Sequence, residues 1–451
     1  MNRKNNKNSN FIAFKTFGLT ILIGAMLLSL PISNMNGKWT PPLSALFTST
    51  SATCVTGLIV RDTGTYFSTF GQLIILALIQ VGGLGIMTMG TIILTLIGRR
   101  LKLEDTEVVM NALGYEKFKG LKGLLKATIY YTLCFELVGT IIISTQLWLN
   151  YNMTLPKAIF TGVFHSISAF CNAGFSTYSD SLISFQSDSV IMFTISALII
   201  TGGLGFFVVA SSLSFSKSHI SFRAKAKIPL HTRIVLFATL ILIAFGFLSF
   251  LIFEYNNTLS GIHGLSKIPC AFFQGITPRT AGFNAVPMEQ LHPITKEITT
   301  MLMFIGGAPA STAGGIKITT IFIIILTVSG IIRGRDDTEV FQRKIPNTTT
   351  KKALCIFFIS IALVAIAFSA IVMFESKGPL KNEDIFFETI SAFGTVGLSM
   401  GITSQLTVPS KLLIILLMFI GRLGPLTIAL IVGSRTKHQI IHYIEENVIV
   451  G

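Results

Sequence analysis

P-P-L-S-A-L-F-T-S-T-S-A-T-C-V-T-G-L, residues 41–58, begins as an apolar half-helix, passes into small hydroxyl residues and closes on a glycine. It is too short to cross a bilayer, which takes ~20 apolar residues of helix. Three later segments share its form. They are K-A-I-F-T-G-V-F-H-S-I-S-A-F-C-N-A-G-F (157–175), K-I-P-C-A-F-F-Q-G-I-T-P-R-T-A-G-F (267–283) and E-D-I-F-F-E-T-I-S-A-F-G-T-V-G-L (383–398). Their glycines, Gly57, Gly174, Gly282 and Gly397, are separated by 117, 108 and 115 residues, each close to a quarter of the chain. One such segment alone reads as an extracellular loop. Four in phase are an internal repeat, and a repeat outranks any single element in deciding a fold.

Apolar runs flank every segment, near 11–30, 70–98, 126–149, 188–215, 232–254, 293–332, 353–374 and 408–433. Hydrophobic residues are 51 % of the chain and charged residues 12 %, against about 25 % charged in soluble domains. The mean hydropathy is +0.70. The sequence therefore predicts an all-α polytopic membrane protein. Eight transmembrane helices and four re-entrant pore helices form four pseudo-symmetric M1–P–M2 repeats around one central pore. The repeats are 11–125, 126–230, 231–350 (with a broken M2 helix) and 351–440, followed by a cytoplasmic tail at 441–451. A basic Met1–Lys15 before apolar Phe17–Leu30 raises the alternative of a cleaved signal peptide. The length of the run, its end at Pro31 and the lack of a small-x-small site predict a retained first helix.

The formal charge of +15 would by itself suit nucleic acid. The placement of the charges argues for a lipid bilayer instead. Most of the 35 Lys and Arg lie between apolar runs, in the N-terminal tail, 99–126, 217–227, 333–344 and the C-terminal tail. This is the positive-inside pattern, and it puts both termini in the cytoplasm. Cys54, Cys134, Cys171, Cys270 and Cys355 lack metal-ligand spacing and read as free thiols.

Non-helical chain at membrane depth is tolerated only inside protein or beside water. The four turns, T-C-V-T-G, F-C-N-A-G, P-R-T-A-G and F-G-T-V-G, carry few charges; what they share is backbone carbonyls. A carbonyl ring replaces the hydration shell of a desolvated alkali cation. Glycine reaches the positive φ that turns such carbonyls inward, and helix C-termini aimed at the cavity favour a cation. Calcium or magnesium would want carboxylates. The expected filter is Val55, Thr56 and Gly57; Asn172, Ala173 and Gly174; Thr280, Ala281 and Gly282; Thr395, Val396 and Gly397. Its ligands are main-chain oxygens. The side chains of Thr56 and Asn172 either add oxygen or pack behind it. Arg279 is expected to point away from the axis and hold its turn by hydrogen bonds.

The second spans align as Q-V-G-G-L-G-I-M-T (80–88), I-T-G-G-L-G-F-F-V (200–208), F-I-G-G-A-P-A-S-T (304–312) and F-I-G-R-L-G-P-L-T (419–427). Gly83, Gly203, Gly307 and Arg422 follow their filter glycines by 25 to 29 residues and belong at one depth below the filter. The third of these runs, 293–332, would be roughly 60 Å as one helix at about 1.5 Å per residue, twice the ~30 Å hydrocarbon core. A break solves the geometry. Gly306, Gly307, Ala308, Pro309, Ala310, Ser311, Thr312, Ala313, Gly314 and Gly315 form an unwound loop beneath the filter, read as a gate; a static kink is the alternative. Lys317 either tethers the loop or marks its cytoplasmic end. Arg422 is the barrier, since an intramembrane charge costs ~2.5–3.5 kcal/mol and is functional by default. Glu136 is a possible charge partner of Arg422 or Lys317, or is satisfied by local polar groups.

These motifs together resemble the Ktr/Trk/HKT superfamily of potassium transporters, most closely its bacterial KtrB/KtrD-type membrane subunits, over roughly residues 15–433. The resemblance implies K+ as substrate, Na+ as an activator, and a homodimer with one pore per protomer in the bacterial plasma membrane. It implies a cytosolic RCK-type ring of the KtrA/KtrC kind that binds the nucleotide, so that this chain holds no organic cofactor, and that moves the intramembrane loop. It assigns the four glycines to the filter, 306–315 to the gate and Arg422 to the barrier. Cys54 and Cys171 depart from the polar residues expected there, and Pro309 stiffens a loop usually richer in Gly, Ser and Ala. An alternating-access secondary cation transporter is the rival reading; it would show inverted repeats without a pore turn in every quarter. A membrane enzyme would need clustered groups, whereas His165 and Glu388 lie in different repeats.

Overall fold

Apolar helices in four successive groups form the body of the molecule. The computed structural model describes residues 3–85, 121–206, 208, 209, 211, 228–335 and 337–425. The basic segments at 99–107 and 217–227 and the tail at 441–451 lie outside these residues. The first group is α1 (Arg3–Ser29), α2 (Pro42–Thr53) and α3 (Thr69–Leu84); the second is α4 (Leu121–Asn150), α5 (Leu155–Phe170) and α6 (Ser189–Gly203). The third is α7 (Leu230–Glu254), α8 (Lys267–Ile276) and an interrupted pair, α9 (Pro293–Phe304) and α10 (Ile318–Ile332). The fourth is α11 (Asn347–Glu375), α12 (Asn382–Gly394) and α13 (Val408–Leu423). Ala127–Asn150, Leu230–Glu254 and Asn347–Glu375 are long and apolar enough to cross a membrane. Their outward faces carry exposed Leu137, Ile141, Leu240, Ile252, Ile366 and Met373, as a lipid-facing surface does.

The groups pack in a cycle. Within each, the short helix lies against the long helix before it, and in the first, second and fourth groups also against the one after it. Between groups, α3 packs on α5, α6 on α8, α9 on α12, and α13 returns to α2. The short helices thus surround one centre, and Phe47, Phe164, Phe170, Phe273, Phe283 and Phe393 are fully buried.

Carboxylates fix the outer ends of the later groups. Asp188 caps α6 by accepting from Val190 N and Ile191 N at 2.9 and 3.1 Å, and it accepts from Gln146 of α4 at 2.8 Å. Glu254, ending α7, accepts from His292 N at the start of α9 at 2.8 Å and from Asn257 and Thr258. Glu375, ending α11, accepts from the amide and hydroxyl of Thr407, each at 2.8 Å, just before α13. Each acid satisfies orphan donors at a helix N-terminus while joining two long helices.

One element departs from the all-helical expectation. Glu339–Val340 and Arg343–Lys344 pair as a two-stranded antiparallel hairpin. Its turn residues, Phe341 and Gln342, have φ of 49° and 60°, a left-handed pair that hairpin turns require and Asn-Gly sequences usually signal. Without that signal the segment reads as a charged loop.

Replacing Glu254 with Leu strands several donors and is expected to cost about 1–3 kcal/mol. It should lower the unfolding temperature of the detergent-solubilised protein, with Glu254→Gln nearer the parent. Equal unfolding temperatures for the parent and Glu254→Leu would remove Glu254 from the framework.

Candidate functional site

Each short helix of the cycle runs into a turn of one backbone pattern. Two residues before each glycine stands a left-handed residue: Val55, Asn172, Thr280 and Thr395, with φ of 56°, 58°, 72° and 50°. The glycines follow at φ of 95°, 69°, 79° and 95°. A side chain at φ > 0 is strained, so the same strain recurring four times needs support. Hydroxyls from the preceding helix or its C-cap supply it. Ser51 and Ser391 accept from the amides of Gly57 and Gly397, both at 3.1 Å. Ser168 donates to Phe175 O at 2.8 Å and Thr277 to Phe283 O at 2.5 Å.

The glycines form a closed ring in chain order. A Cβ on Gly57 would overlap the carbonyl oxygen of Ala173, one on Gly174 that of Ala281, one on Gly282 that of Val396, and one on Gly397 that of Thr56. Each glycine therefore sits against the carbonyl that precedes the next glycine, and no side chain fits between. All four glycines line the floor of one outer cavity of about 540 Å³, whose walls include Asp62, Asp180 and Glu289.

All twelve residues of the turns are buried. The side chain of Asn172 is engaged behind the ring. With the amide oriented to satisfy both its ends, its nitrogen donates to Ala169 O and Ile199 O at 3.1 and 3.2 Å and its oxygen accepts from Thr280 Oγ1 at 3.3 Å. The hydroxyls of Thr56 and Thr395 are buried with no hydrogen-bond partner among the described residues. Arg279 differs from expectation. It is buried, forms no side-chain hydrogen bond among the described residues, and leaves Nε unpartnered. Instead of clamping its own turn it borders a small cavity shared with Asn172, Gly203, Thr239 and Gly307.

The loop between α9 and α10 closes on its own base, where Gly306 N donates to Ile316 O at 2.8 Å and Ile318 N to Gly307 O at 3.1 Å. It then docks on the end of α6. Ala308 N donates to Gly203 O at 3.1 Å, Thr312 N to Gly202 O at 3.4 Å, and Phe206 N to Ala310 O at 3.2 Å. Thr312 Oγ1 reaches Phe170 O at 3.3 Å. On the far side, a Cβ on Gly314 would collide with the Thr395 side chain. The loop thus passes from the second group's turn to the fourth's. Pro309 lies in its bend beside Ala310, whose φ is 56°.

Arg422 spans the gap from this loop to α3. Its Nη1 donates to Thr312 O, and its Nη2 donates to Gly82 O and, at 3.1 Å, to Gly83 O. The carbonyls that end α3 carry the negative end of that helix's dipole, so the guanidinium meets partial charges in place of an acid. Lys317 Nζ donates to Ala313 O at 2.7 Å, tying the loop to the start of α10. Glu136 pairs with neither cation. It accepts from Gln80 Nε2 of α3 at 3.3 Å, whose Oε1 lies 3.6 Å from Cys171 Sγ. Helix packing puts α4 beside α5 and α6, brings Glu136 to Gln80, and leaves the charge of Arg422 to backbone oxygen.

A family profile described as "TrkH: Cation transport protein" matches residues 4–437. The chain belongs to this family. It is 41 % identical to the Ktr system potassium uptake protein B of Bacillus subtilis over 440 residues, 96 % of this chain and 95 % of that protein. It is 36 % identical to the potassium/sodium uptake protein NtpJ of Enterococcus hirae, over 96 % of this chain and 95 % of the relative. The crystal structure of the potassium transporter TrkH from Vibrio parahaemolyticus matches with a TM-score of 0.73, covering 95 % of this chain and 85 % of that one at 18 % identity, a likeness of fold. Members of the TrkH cation transport family are membrane transporters, in keeping with the apolar helices here.

Three sets of residues at the site escape a reading by motif. The hydroxyls of Ser51, Ser168, Thr277 and Ser391 stand five or six residues before the glycines, and a period-six hydroxyl was the available signal. The first glycine of each G-G or G-R pair also matters. A Cβ on Gly82, Gly202 or Gly421 would overlap the carbonyl of Thr53, Phe170 or Phe393, so these glycines let the long helix seat the end of the short one. The docking of the loop on α6 has no sequence signature. Arg422→Ala leaves the Thr312, Gly82 and Gly83 carbonyls without their donor, so amide hydrogens of 306–315 should exchange faster. Unaltered protection in that variant would show that Arg422 does not hold the loop.

Proposed function

We propose that the chain is the K+-translocating membrane subunit of a bacterial potassium uptake system, working as a gated pore. The closed ring of four glycines and four preceding carbonyls, at the floor of an outer cavity, carries this reading. Val55, Thr56 and Gly57, with Asn172, Ala173 and Gly174, Thr280, Ala281 and Gly282, and Thr395, Val396 and Gly397, form the filter. A dehydrated K+ on the ring axis exchanges water for carbonyl oxygen. The orphaned hydroxyls of Thr56 and Thr395 support this, because an unpaired buried polar atom calls for an occupant such as an ion or water. The acids Asp62, Asp180 and Glu289 around the outer cavity favour cations at its mouth.

On this reading the four groups are M1–P–M2 repeats with boundaries near 11–125, 126–230, 231–350 and 351–440, eight helices cross the bilayer, and both termini are cytoplasmic. The loop 306–315 is the gate and Arg422 the barrier. Arg422 repels a cation descending from the ring and holds Thr312 across the path, and Lys317 adds charge at the base of the loop. The loop's docking is a handful of backbone bonds of about 0.5–1.5 kcal/mol each, a latch that a partner's binding energy can release. A homodimer, Na+ stimulation and control by a cytosolic RCK-type ring complete the proposal. The names of relatives in a Ktr system and in potassium/sodium uptake support these last features.

Flux through liposomes holding the purified protein tests the proposal. K+ and Rb+ should each run down their gradients without a coupled ion and exceed Na+. Flux that requires a counter-gradient would contradict a pore. Deleting part of 306–315, or Arg422→Ala, should raise K+ flux about tenfold, the factor for a barrier lowered by ~1.4 kcal/mol; unchanged flux in both would contradict the gate. Gly282→Ser should lower the K+ to Na+ ratio, and an unaltered ratio would remove Gly282 from the filter.

A further inference from the structure

Two side chains at the centre of the molecule have no part in the pathway above. Both stand nine residues before a ring glycine: His165 before Gly174 and Glu388 before Gly397. Each is 1 % exposed. Each reaches forward, past the ring, to the chain that leaves it. His165 Nδ1 lies 2.9 Å from Thr161 O, and Nε2 lies 3.0 Å from Ser176 Oγ. The Thr161 carbonyl only accepts, so Nδ1 carries the proton, and the single proton of Ser176 Oγ is shared between Nε2 and Ser181 O, which lies 3.1 Å away. Glu388 Oε1 accepts from Thr403 Oγ1, which lies 3.0 Å from Ser399 Oγ.

The two arrangements are the same device. Ser176 and Ser399 both stand two residues past their glycine. Each accepts from the amide two residues further on, Tyr178 N and Gly401 N, both at 3.0 Å. Ser176, Ser399 and Thr403 all line the outer cavity. The second and fourth turns face each other, because the ring closes in chain order. The other two turns are built differently. In the third, Gln274 accepts from Ala285 N at 3.1 Å. In the first, Thr48 occupies the ninth position with its hydroxyl unpartnered among the described residues.

We infer that His165 and Glu388 are positioning residues for ion discrimination. Resting on the reading of the ring as the filter, they pin the post-glycine chain on two opposite sides of its mouth, through Ser176 and through Thr403 with Ser399. Pinned, the outermost carbonyls hold the spacing suited to the larger ion. Freed, they close around the smaller one.

Thr403→Val and Ser176→Ala break the two braces while leaving the ring and the short helices untouched. The measurement is K+ and Na+ tracer flux in liposomes, beside the unfolding temperature. Each variant should lower the K+ to Na+ flux ratio at least threefold at a near-parental unfolding temperature. Thr403→Ser, which keeps the hydroxyl, and Glu388→Gln, which keeps the acceptor, should retain the ratio. An unaltered ratio in Thr403→Val and Ser176→Ala, or a proportional loss of both fluxes, would overturn the proposal. Gly282→Ser in the same assay separates two failures. If its ratio falls while the brace variants hold theirs, the braces alone are refuted; if its ratio also holds, the filter reading falls with them.

Discussion

A peptide group inside a bilayer has no water to bond to, so irregular chain at that depth must be supplied with partners by protein or by a wet cavity. The whole architecture answers that constraint. Four turns leave helical geometry at the centre, and each is held by a hydroxyl one or two helical turns back. Glycines on the long helices then let the turns seat against them at backbone distance. The glycine that ends each turn abuts the carbonyl before the next, so the turns support one another only as a closed set. Helix packing closes in the same order, with α13 returning to α2.

The loop between α9 and α10 meets the same constraint by weaker means. It is bridged at its base, bonded to the end of α6 and crossed by one arginine. Its partners outside its own group belong to the second and fourth groups of helices. A shift of any of them changes its bonding, while the hydroxyl-braced ring above stays as it is. On the proposed reading, the braced ring is the fixed selector and the loop the movable obstruction.

Much of this was legible in the sequence. The four glycine-terminated segments gave the groups, their phase and the ring residues, because a turn at φ > 0 leaves glycine as its trace. The span at 293–332 was too long for one helix, and its glycines marked the break. Arg422 stood out as a charge in an apolar run. Partner choice was less legible. Glu136 bonds Gln80 and Arg422 bonds backbone oxygen, because helix rotation, which sequence leaves open, decides what each side chain meets. Arg279 went astray for a related reason: an unpaired buried cation breaks the rule by which it was read. The hairpin at 339–344 lacked its usual turn residues.

The central claim is that a cation binds on the axis of the glycine ring through main-chain oxygen. The most direct measurement is anomalous scattering from crystals grown in Rb+. The account predicts a peak on the ring axis, within coordination distance of the carbonyls of Thr56, Ala173, Ala281 and Val396. Rb+ bound at side-chain carboxylates elsewhere, with none at the ring, would contradict it.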